Sequence, residues 1–384
     1  MKEKLAAIDA AMVATARAEI GKVIVPRGRQ WNEVATADGI YHAARGVGDD
    51  NPLWWDRSYA GKTRWGALIA PPYFVYACER GGIQQRLFAG AHALFAGDDW
   101  DFFKPICEND RVANTLTLAA INERESKFAG TMWDQVEKLT FKNQNGEVVA
   151  TCHRHIFRYE RTEKPRESNY TPIKVQHYTP QELEAIENDI RNEERRGASP
   201  RYWEDLKSGD ELTPVVKGPL TVTDIIAWEM GLGGSAFTLP HELAHAFWRR
   251  HPKAAVIERE TGAPDFPVAV HWVDSLAQDV GLPAAYDIGP QRICWFGHLM
   301  SNWIGDDGFL RKLYVQVRSP NLRGDTTWCK GKITRKYIAD GMFCADLDLW
   351  MVNQRGATIA KATATAYLPS KERGPVALPP PPND

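Results

Sequence analysis

Apolar and polar residues alternate along two groups of long segments, one within residues 112–141 and the other within residues 312–352. A period of two is typical of strands that turn one face toward a core. Segments with helical spacing or helix-ending punctuation precede each group. They are residues 36–46 and 71–82 before the first group, and residues 221–231 and 289–305 before the second. Helices followed by antiparallel strands predict an α+β fold in which a helix is buried against a sheet.

Two sequence patterns occur in the same order in both groups. A proline stands five residues before an aspartate at Pro105 and again at Pro320. Each pair is followed by an N-Q-x-G turn, at residues 143–146 and 353–356, and each turn leads into an alternating strand. The repeated order predicts two copies of one supersecondary plan. The alternative is a pair of unrelated hairpins with similar turns.

The repeat and the composition divide the chain into four parts. We expect a first unit over residues 1–160 and a second unit over residues 213–370. Residues 161–212 are polar and charged, and are typical of a connector that carries one solvated helix. Residues 371–384 are rich in proline, which favours an extended tail.

Composition and charge exclude several classes of protein. The chain has 384 residues, 43% of them apolar and 25% charged, which suits two globular domains. A net charge of −2 gives no basic field for nucleic acid. No apolar run is long enough to span a membrane, and the N-terminus does not resemble a signal peptide. The six cysteines contain no C-x-x-C pair, so we expect reduced thiols and a cytoplasmic protein.

Four segments together resemble the MaoC-like acyl dehydratases, or R-specific enoyl-CoA hydratases. In the first half they read "GDDNPLWWDRSYA" and "TRWGALIAPPYF"; in the second half they read "HWVDSLAQDVGLPAAYDIGPQRICWFGH" and "GDTTWCKGKITRKY". The resemblance implies a double hot-dog fold, in which each of two tandem units wraps an antiparallel sheet around a buried helix. It also implies reversible hydration of a 2-enoyl thioester carried on coenzyme A, without a further cofactor, by a homo-oligomer, most simply a dimer.

This chemistry requires a base that activates water and an acid that protonates the α-carbon. The family pattern has an aspartate, an asparagine two residues later, and a histidine five residues after the aspartate. Asp49 and Asn51 match the catalytic positions of this pattern, but Trp54 stands where the histidine is expected. An indole can donate a hydrogen bond but cannot exchange a proton near neutral pH. We therefore expect a degenerate first site, with Trp54 filling its pocket and with Asp49 and Asn51 partly reduced to fixing the turn.

The second half offers the missing histidine. His271 stands six residues before Ala277, as Trp54 stands six before an alanine in the first half. The nearest acid before His271 is Asp265, one position from strict spacing. We therefore predict a His271–Asp265 catalytic pair, with Glu79 of the facing half as the alternative acid. The competing interpretations are a half-buried structural histidine and an aspartate that forms a turn beside prolines.

Further residues are candidates for contacts with the thioester substrate. Gln291 and Arg292 open the second buried helix, whose start the resemblance places at the thioester carbonyl, where free N–H groups suit an oxyanion. Trp54 would line the pocket of the first half. Lys330 and Lys332 share a strand face that could meet the phosphates of coenzyme A, although a charged solvent face is the favoured interpretation.

A competing motif lies in "HELAHAFWRRH". His241, Glu242 and His245 form H-E-x-x-H, and His251 stands where a third zinc ligand would be expected. The sharp turn of that zinc motif requires glycine where this chain has Trp248, and a bulky residue resists positive φ. We expect no metal here, and we regard a zinc hydrolase as the weakest alternative. An acyl-CoA thioesterase and a non-catalytic acyl-CoA-binding subunit remain open alternatives to a hydratase.

Overall fold

The computed structural model describes residues 8–24, 29–79, 85–126, 130–160, 173–233 and 238–382. The strands are β1 Val23–Ile24, β2 His92–Phe102, β3 Ala113–Ser126, β4 Gly130–Lys142, β5 Val148–Tyr159, β6 Val215–Lys217, β7 Val256–Ile257, β8 Pro264–Asp265, β9 Phe309–Val317, β10 Thr327–Ala339, β11 Met342–Asn353 and β12 Thr358–Tyr367. The α-helices are α1 Ala10–Arg17, α2 Ala37–Val47, α3 Arg57–Ala60, α4 Pro180–Arg191, α5 Val222–Leu232, α6 His241–Arg250, α7 Asp274–Asp279 and α8 Gly289–Ile304. Short 3-10 helices span Pro52–Trp54, Pro72–Cys78, Gln85–Phe88, Trp203–Asp205, Pro252–Ala254 and Pro267–His271.

Ten strands form one antiparallel sheet in the order β1-β3-β4-β5-β2-β9-β12-β11-β10-β6. Each half contributes four strands of the same connectivity, β2 to β5 in the first half and β9 to β12 in the second. In each half the last three strands form a meander, and the final strand of the meander also pairs with the first strand of the half. The two four-stranded units join side by side where β2 pairs with β9, with Trp100 opposite Leu313. The predicted α+β class and the predicted duplication are therefore present in the fold.

The repeated turns have the same hydrogen bonds in both halves. Asn143 N–H donates to the carbonyl of Glu147 over 3.0 Å, and Asn353 N–H donates to the carbonyl of Ala357 over 3.0 Å. The glycine of each turn has a positive φ, 77° at Gly146 and 76° in the second copy. A side chain resists this conformation, which explains why glycine ends both N-Q-x-G patterns.

Each sheet half covers a helix, but the two helices differ. In the second half, α8 has sixteen residues and almost every side chain on it is buried. In the first half, the segment predicted as a helix over residues 71–82 forms a 3-10 helix over Pro72–Cys78. The helices α2 and α5 cross at two glycines, because a Cβ on Gly46 or Gly231 would lie 2.8 or 2.5 Å from a carbonyl of the facing helix.

The connector is as exposed as its composition suggests, whereas part of the tail is packed against the protein. Within residues 161–212, the described part contains α4, which begins at a Thr179 capping box, and most of its side chains are exposed as expected. In the tail, Val376 is buried and its carbonyl accepts a hydrogen bond from Arg64. The exact bounds of the units remain a prediction. Among the described helices, none has the length and apolar character needed to cross a membrane.

Candidate functional site

The motif loop of the first half begins where α2 ends. Gly48 has a positive φ of 72° and closes the helix in the left-handed conformation. Asp49 Oδ1 then accepts a hydrogen bond from the N–H of Asn51 over 3.1 Å. Asn51 in turn caps the 3-10 helix Pro52–Trp54, because its side-chain oxygen accepts from the N–H of Leu53 over 3.1 Å. These local bonds explain the aspartate, the asparagine and the proline of the motif.

The Asp49 carboxylate is occupied by neighbouring donors. Trp54 Nε1 donates to Asp49 Oδ2 over 3.0 Å, and the hydroxyl of Tyr73 donates to the same oxygen over 2.9 Å. Asp49 and Trp54 are 3% and 4% exposed. The indole thus takes the position expected for histidine and binds the carboxylate as a donor only.

A histidine that the sequence analysis missed approaches Asp49 from the other half. His298, on α8, has its Nε2 3.7 Å from Asp49 Oδ1. Lys217 on β6 donates to His298 Nδ1 over 2.7 Å, so the proton of the neutral ring lies on Nε2. The Asn302 Oδ1 has no hydrogen-bond partner among the described residues. If the side-chain amide is rotated by 180°, this oxygen accepts the hydrogen bond from His298 Nε2–H. His298 and Asn302 are four residues apart on a buried helix, and this polar spacing was the available sequence signal.

Burial and charge keep the His298 ring neutral. Burial, together with the neighbouring charge of Lys217, lowers the pKa of His298 to about 4. Burial also lowers the pKa of Lys217. A positive imidazole beside a positive lysine would be unfavourable in this dry environment. The cluster of Asp49, His298, Lys217 and Asn302 therefore joins the two halves through hydrogen bonds and near contacts.

In the second half, His271 ends the 3-10 helix Pro267–His271. Its Nδ1 lies 2.9 Å from the backbone carbonyl of Tyr286 and must donate to it, which leaves Nε2 as the basic nitrogen. The imidazole also contacts the Tyr286 ring edge-to-face at 4.5 Å. Burial lowers the pKa of His271 to about 4, so the ring is neutral at pH 7.

The backbone hydrogen bonds place His271 and the tryptophan of the first motif at equivalent positions. In the first half, Trp55 N–H donates to the carbonyl of Pro52 over 3.2 Å. In the second half, Trp272 N–H donates to the carbonyl of Ala269 over 3.0 Å, in the same register. His271 directly precedes the second of these tryptophans, as Trp54 precedes the first. The predicted register between the halves therefore holds in the backbone.

The expected acid partners of His271 are engaged elsewhere. Asp265 lies on β8, and its carboxylate accepts the N–H of Phe266 over 2.7 Å. Within the described part of the chain, His271 and Asp265 share neither a hydrogen bond nor an ion pair. The alternative acid, Glu79, forms two hydrogen bonds of 2.5 and 2.9 Å with Arg154. The predicted contact between His271 and Asp265 is therefore absent from the structure, because the hydrogen bond from the next residue orients the aspartate.

Gln291 and Arg292 are used inside the protein rather than facing a substrate. Gln291 Oε1 accepts the N–H of Ile288 over 2.8 Å and so caps the start of α8. Arg292 is 2% exposed, forms two bonds of 2.6 Å with Asp287, and donates to two backbone carbonyls, one shortly after β9 and one in β12. A buried guanidinium requires a partner, and Asp287 supplies it. The expectation that these two side chains contact substrate is corrected accordingly.

The two lysines proposed for phosphate contacts lie along β10. Lys330 is opposite Trp350 and is half-buried, whereas Lys332 is opposite Asp348 and is exposed. Neither belongs to the described residues that line the cleft below. Their placement is that of a charged strand face next to the sheet edge at β6.

A cleft of about 690 Å³, part of it open to solvent, lies in the first half. Its walls are mainly apolar and include Leu53, Trp65, Ile69, Val75, Phe102 and Phe309. Its polar lining side chains include Asn51, Lys104, Ser301 and Asp306. The cleft thus combines walls from the first half with the C-terminal end of α8 and the residues after it. Trp54 forms part of its wall and donates its indole N–H to Asp49, which is not among the described residues that line the cleft.

The H-E-x-x-H segment forms α6. Glu242 pairs with Arg249 over 2.6 Å, and His245 packs edge-to-face against Trp248. Among the described residues, no group of three or more potential ligating side chains is placed to hold a metal ion.

Comparisons with known proteins bear on the fold. Residues 20–152 match the family model described as the FAS1-like dehydratase domain region. A solved MaoC-like dehydratase is 17% identical, with a TM-score of 0.62, and the match covers 91% of this chain and 98% of that one. A MaoC domain protein dehydratase from Chloroflexus aurantiacus J-10-fl is 12% identical, with a TM-score of 0.59, covering 92% and 96%.

A conserved hypothetical protein from Mycobacterium tuberculosis with a double hot-dog fold is 9% identical, with a TM-score of 0.53, covering 91% and 96%. No curated protein sequence matches the chain. At these identities the shared property is the fold. The predicted double hot-dog fold, and with it the resemblance to MaoC-like dehydratases, is confirmed at that level.

Proposed function

We propose that this protein is a hydro-lyase that reversibly adds water to a 2-enoyl thioester, most simply a coenzyme A ester. The double hot-dog fold and the dehydratase-region match over residues 20–152 support this reaction class. The observation that carries the proposal is a neutral imidazole, His271, at the motif position of the second half. The first half has an indole at that position, and an indole cannot transfer the proton.

A single imidazole can balance the protons of this reaction. His271 Nε2 takes a proton from water while the hydroxide adds to the β-carbon and the electron pair moves to the thioester oxygen as an enolate. The imidazolium then returns its proton to the α-carbon, so no metal or organic cofactor is needed. The bond from Nδ1 to the Tyr286 carbonyl keeps Nε2 as the reacting nitrogen throughout.

The low pKa of His271 has a consequence for this mechanism. Burial disfavours the imidazolium, so the free protein holds a weak base. A negative charge on the enolate beside the ring would stabilise the imidazolium when it forms. The N-terminus of α8, which begins at Gly289, supplies a helix dipole of the sign that favours the enolate oxygen.

The test is a panel of enoyl-CoA esters, from short chains to polycyclic acyl groups, mixed with purified protein. Hydration removes the enoyl absorbance without releasing free thiol, and we expect this outcome for at least one ester. Release of free thiol would indicate an acyl-CoA thioesterase instead. Tight binding of the esters with neither change would indicate a non-catalytic acyl-CoA-binding subunit.

A further inference from the structure

Backbone hydrogen bonds around the motif loops match the two halves residue by residue. Ala70 N–H donates over 2.8 Å to a carbonyl of the loop between β2 and β3, and Asp287 N–H donates over 2.9 Å to a carbonyl of the loop between β9 and β10. Val75 follows the first donor at the same spacing as Arg292 follows the second. Val75 lines the cleft of the first half, so Arg292 occupies the matched position in the second half.

The guanidinium of Arg292 lies where the second half has its counterpart of the cleft. Lys104 and Val149 line the cleft of the first half, and the N–H of Lys104 donates to the carbonyl of Val149 over 3.4 Å. The matched bond in the second half joins the N–H of Ser319 to the carbonyl of Ile359 over 3.3 Å. Arg292 donates to the carbonyls of Ser319 and Ile359 over 2.5 and 2.8 Å. Its side chain therefore extends into the matched space.

Asp287 completes the filling of this space. It is 1% exposed, and its two oxygens accept hydrogen bonds of 2.6 Å from Arg292. Its counterpart in the first half, Ala70, lines the cleft. An aspartate and an arginine thus replace an alanine and a valine, and the two charges stabilise each other in the interior.

A second replacement narrows the same space from the facing half. The pairing of β2 slips by one residue after Phe95, as the pairing of β9 does after Leu310, so these two residues are equivalent. Leu310 and Pro72 line the cleft of the first half. In the second half, the larger Phe95 ring packs against Gly289, where a Cβ would lie 2.3 Å from the ring. The glycine is what allows the ring to come this close.

The filled space is next to His271. The imidazole donates to the carbonyl of Tyr286, the residue directly before Asp287. In the first half, the matched Trp54 lines the same cleft as Val75. An acyl chain that leaves His271 in the direction of the matched space therefore meets the ion pair.

We propose that Arg292 and Asp287 limit the length of the acyl group, so that the second half acts on short-chain enoyl thioesters. The inference rests on the proposed hydration at His271. Both side chains act by occupying volume, since their hydrogen bonds are made within the protein.

The first experiment compares crotonyl-CoA with 2-dodecenoyl-CoA as substrates of the unaltered full-length protein. We expect kcat/KM to be about a hundredfold higher for the short ester, because a pocket without room for extra methylene groups discriminates on this scale. Equal values for the two esters would overturn the proposal without any variant.

Two double variants separate volume from charge. Arg292→Val with Asp287→Ala introduces the first half's residues, and we expect the preference for the short ester to fall about tenfold or more. Arg292→Met with Asp287→Leu keeps most of the volume without the charges, a replacement that buried ion pairs often tolerate, and should keep the preference. Loss of the preference in the second variant, or its survival in the folded first variant, would contradict the proposal.

A control variant changes the matched position of the first half. Val75→Phe narrows the first cleft and should leave the preference between the two esters as it is. A preference that changes in this variant would place the length limit in the first half and overturn the assignment.

Crystals under xenon pressure test the filled space independently of catalysis. A new internal space holds xenon where it is apolar and ordered water where it is polar. We expect one of them beside position 292 in Arg292→Val with Asp287→Ala, and neither there in the unaltered protein. A folded double variant without a new occupant would overturn the assignment of this space.

The two experiments distinguish failure of the length limit from failure of the proposed reaction. Hydration of both esters at equal rates would contradict the length limit alone. A new occupant beside position 292 without hydration of any ester would overturn the proposed reaction, and with it the limit on substrate length, while the filled space would stand.

Discussion

The two halves place different side chains on equivalent backbone. Trp54 and His271 precede tryptophans that make the same turn bond in each half, yet one side chain is a pure donor and the other offers a basic nitrogen. The acid follows the opposite distribution, since Asp49 stands five residues before Trp54 and Phe266 stands five before His271. The duplication therefore conserves geometry while each half keeps only one member of the expected acid–base pair.

The carboxylates near Trp54 and His271 also differ in their partners. In the first half, Asp49 accepts hydrogen bonds from Trp54 and Tyr73 and is not among the described residues that line the cleft. In the second half, Asp287, which directly follows the residue whose carbonyl binds His271, is a buried carboxylate paired with Arg292. Backbone symmetry is thus a poor guide to function, and the predictions below compare matched positions in the two halves.

The largest expected difference concerns the repeated aspartates Asp110 and Asp325. Both accept a backbone N–H and a glutamine side chain, but Asp325 also pairs with Arg355 over 2.5 and 2.6 Å and is fully buried. We expect Asp325→Ala to lower the free energy of unfolding by about 3 kcal/mol, because it strands a partly buried arginine. Asp110→Ala should cost about 1 kcal/mol.

Urea denaturation of Asp325→Ala and Asp110→Ala measures the two losses in the free energy of unfolding. Arg355→Asn, which introduces the residue found at the matched position Asn145, should recover part of the loss in Asp325→Ala by removing the stranded charge. Equal costs at the two aspartates would mean that the arginine contributes nothing.

The proton-transfer step gives the second comparison. His271→Ala should lower the hydration rate by roughly a hundredfold, or about 2.7 kcal/mol in the barrier, the usual contribution of a general base. Trp54→Phe, at the matched position, loses one hydrogen bond to Asp49 and should cost about 1 kcal/mol of stability with little change in rate. The measurement is the rate per folded molecule, with folding followed by circular dichroism. Asp49→Asn abolishing hydration while His271→Ala leaves it intact would place the chemistry in the first half.

Local chemistry made much of the fold predictable. The turns at residues 143–146 and 353–356 follow from glycine at positive φ, and the strands follow from alternation over many residues. The first buried helix was less predictable, because Pro71 and Pro72 give a helix start but do not determine whether a 3-10 or an α-helix follows. The equivalence of Trp54 and His271 was also predictable from the sequence, because it depends on residue spacing alone.

The partners of these residues were not predictable from spacing. His298 meets Asp49 because α8 of the second half packs against α2 of the first half, the helix that directly precedes the motif loop. Asp265 was expected to contact His271, but its carboxylate accepts a hydrogen bond from the N–H of the next residue, Phe266. Side-chain partners of buried charges are set by tertiary packing, which a single sequence does not state.

The third comparison concerns acid stability and His298. The pKa of His298 lies near 4 in the folded protein, against 6.5 for a histidine exposed to water. As the pH falls below about 6.5, His298 binds a proton in the unfolded chain but stays neutral in the folded protein. The free energy of unfolding therefore decreases until the pH reaches about 4. We expect His298 alone to cost about 2 kcal/mol between about pH 7 and pH 5.

Urea denaturation of the unaltered protein and of His298→Gln at both pH values isolates this cost. The variant should lose about 2 kcal/mol less on acidification, whatever its stability at neutral pH. Lys217→Met removes a charge that helps to hold the ring neutral, so it should give an intermediate loss. A stability gap between the unaltered protein and His298→Gln that is the same at both pH values would show that the ring is already protonated or exposed.

The smallest expected effect concerns Lys330 and Lys332. Both lie on β10, and neither is among the described residues that line the cleft. An exposed lysine opposite an exposed aspartate contributes little to stability, so Lys332→Ala should change the free energy of unfolding by less than about 0.5 kcal/mol. If the strand face only meets solvent, the KM for an enoyl-CoA ester should stay within about twofold in Lys332→Ala and in the double variant with Lys330→Ala. If these lysines bind the phosphates of coenzyme A, KM should rise severalfold in the double variant, and the rise should shrink with added salt because screening weakens the same attraction in the unaltered protein. The salt series is what separates the two interpretations, since a general loss of folded protein would lower the rate without any dependence of KM on ionic strength.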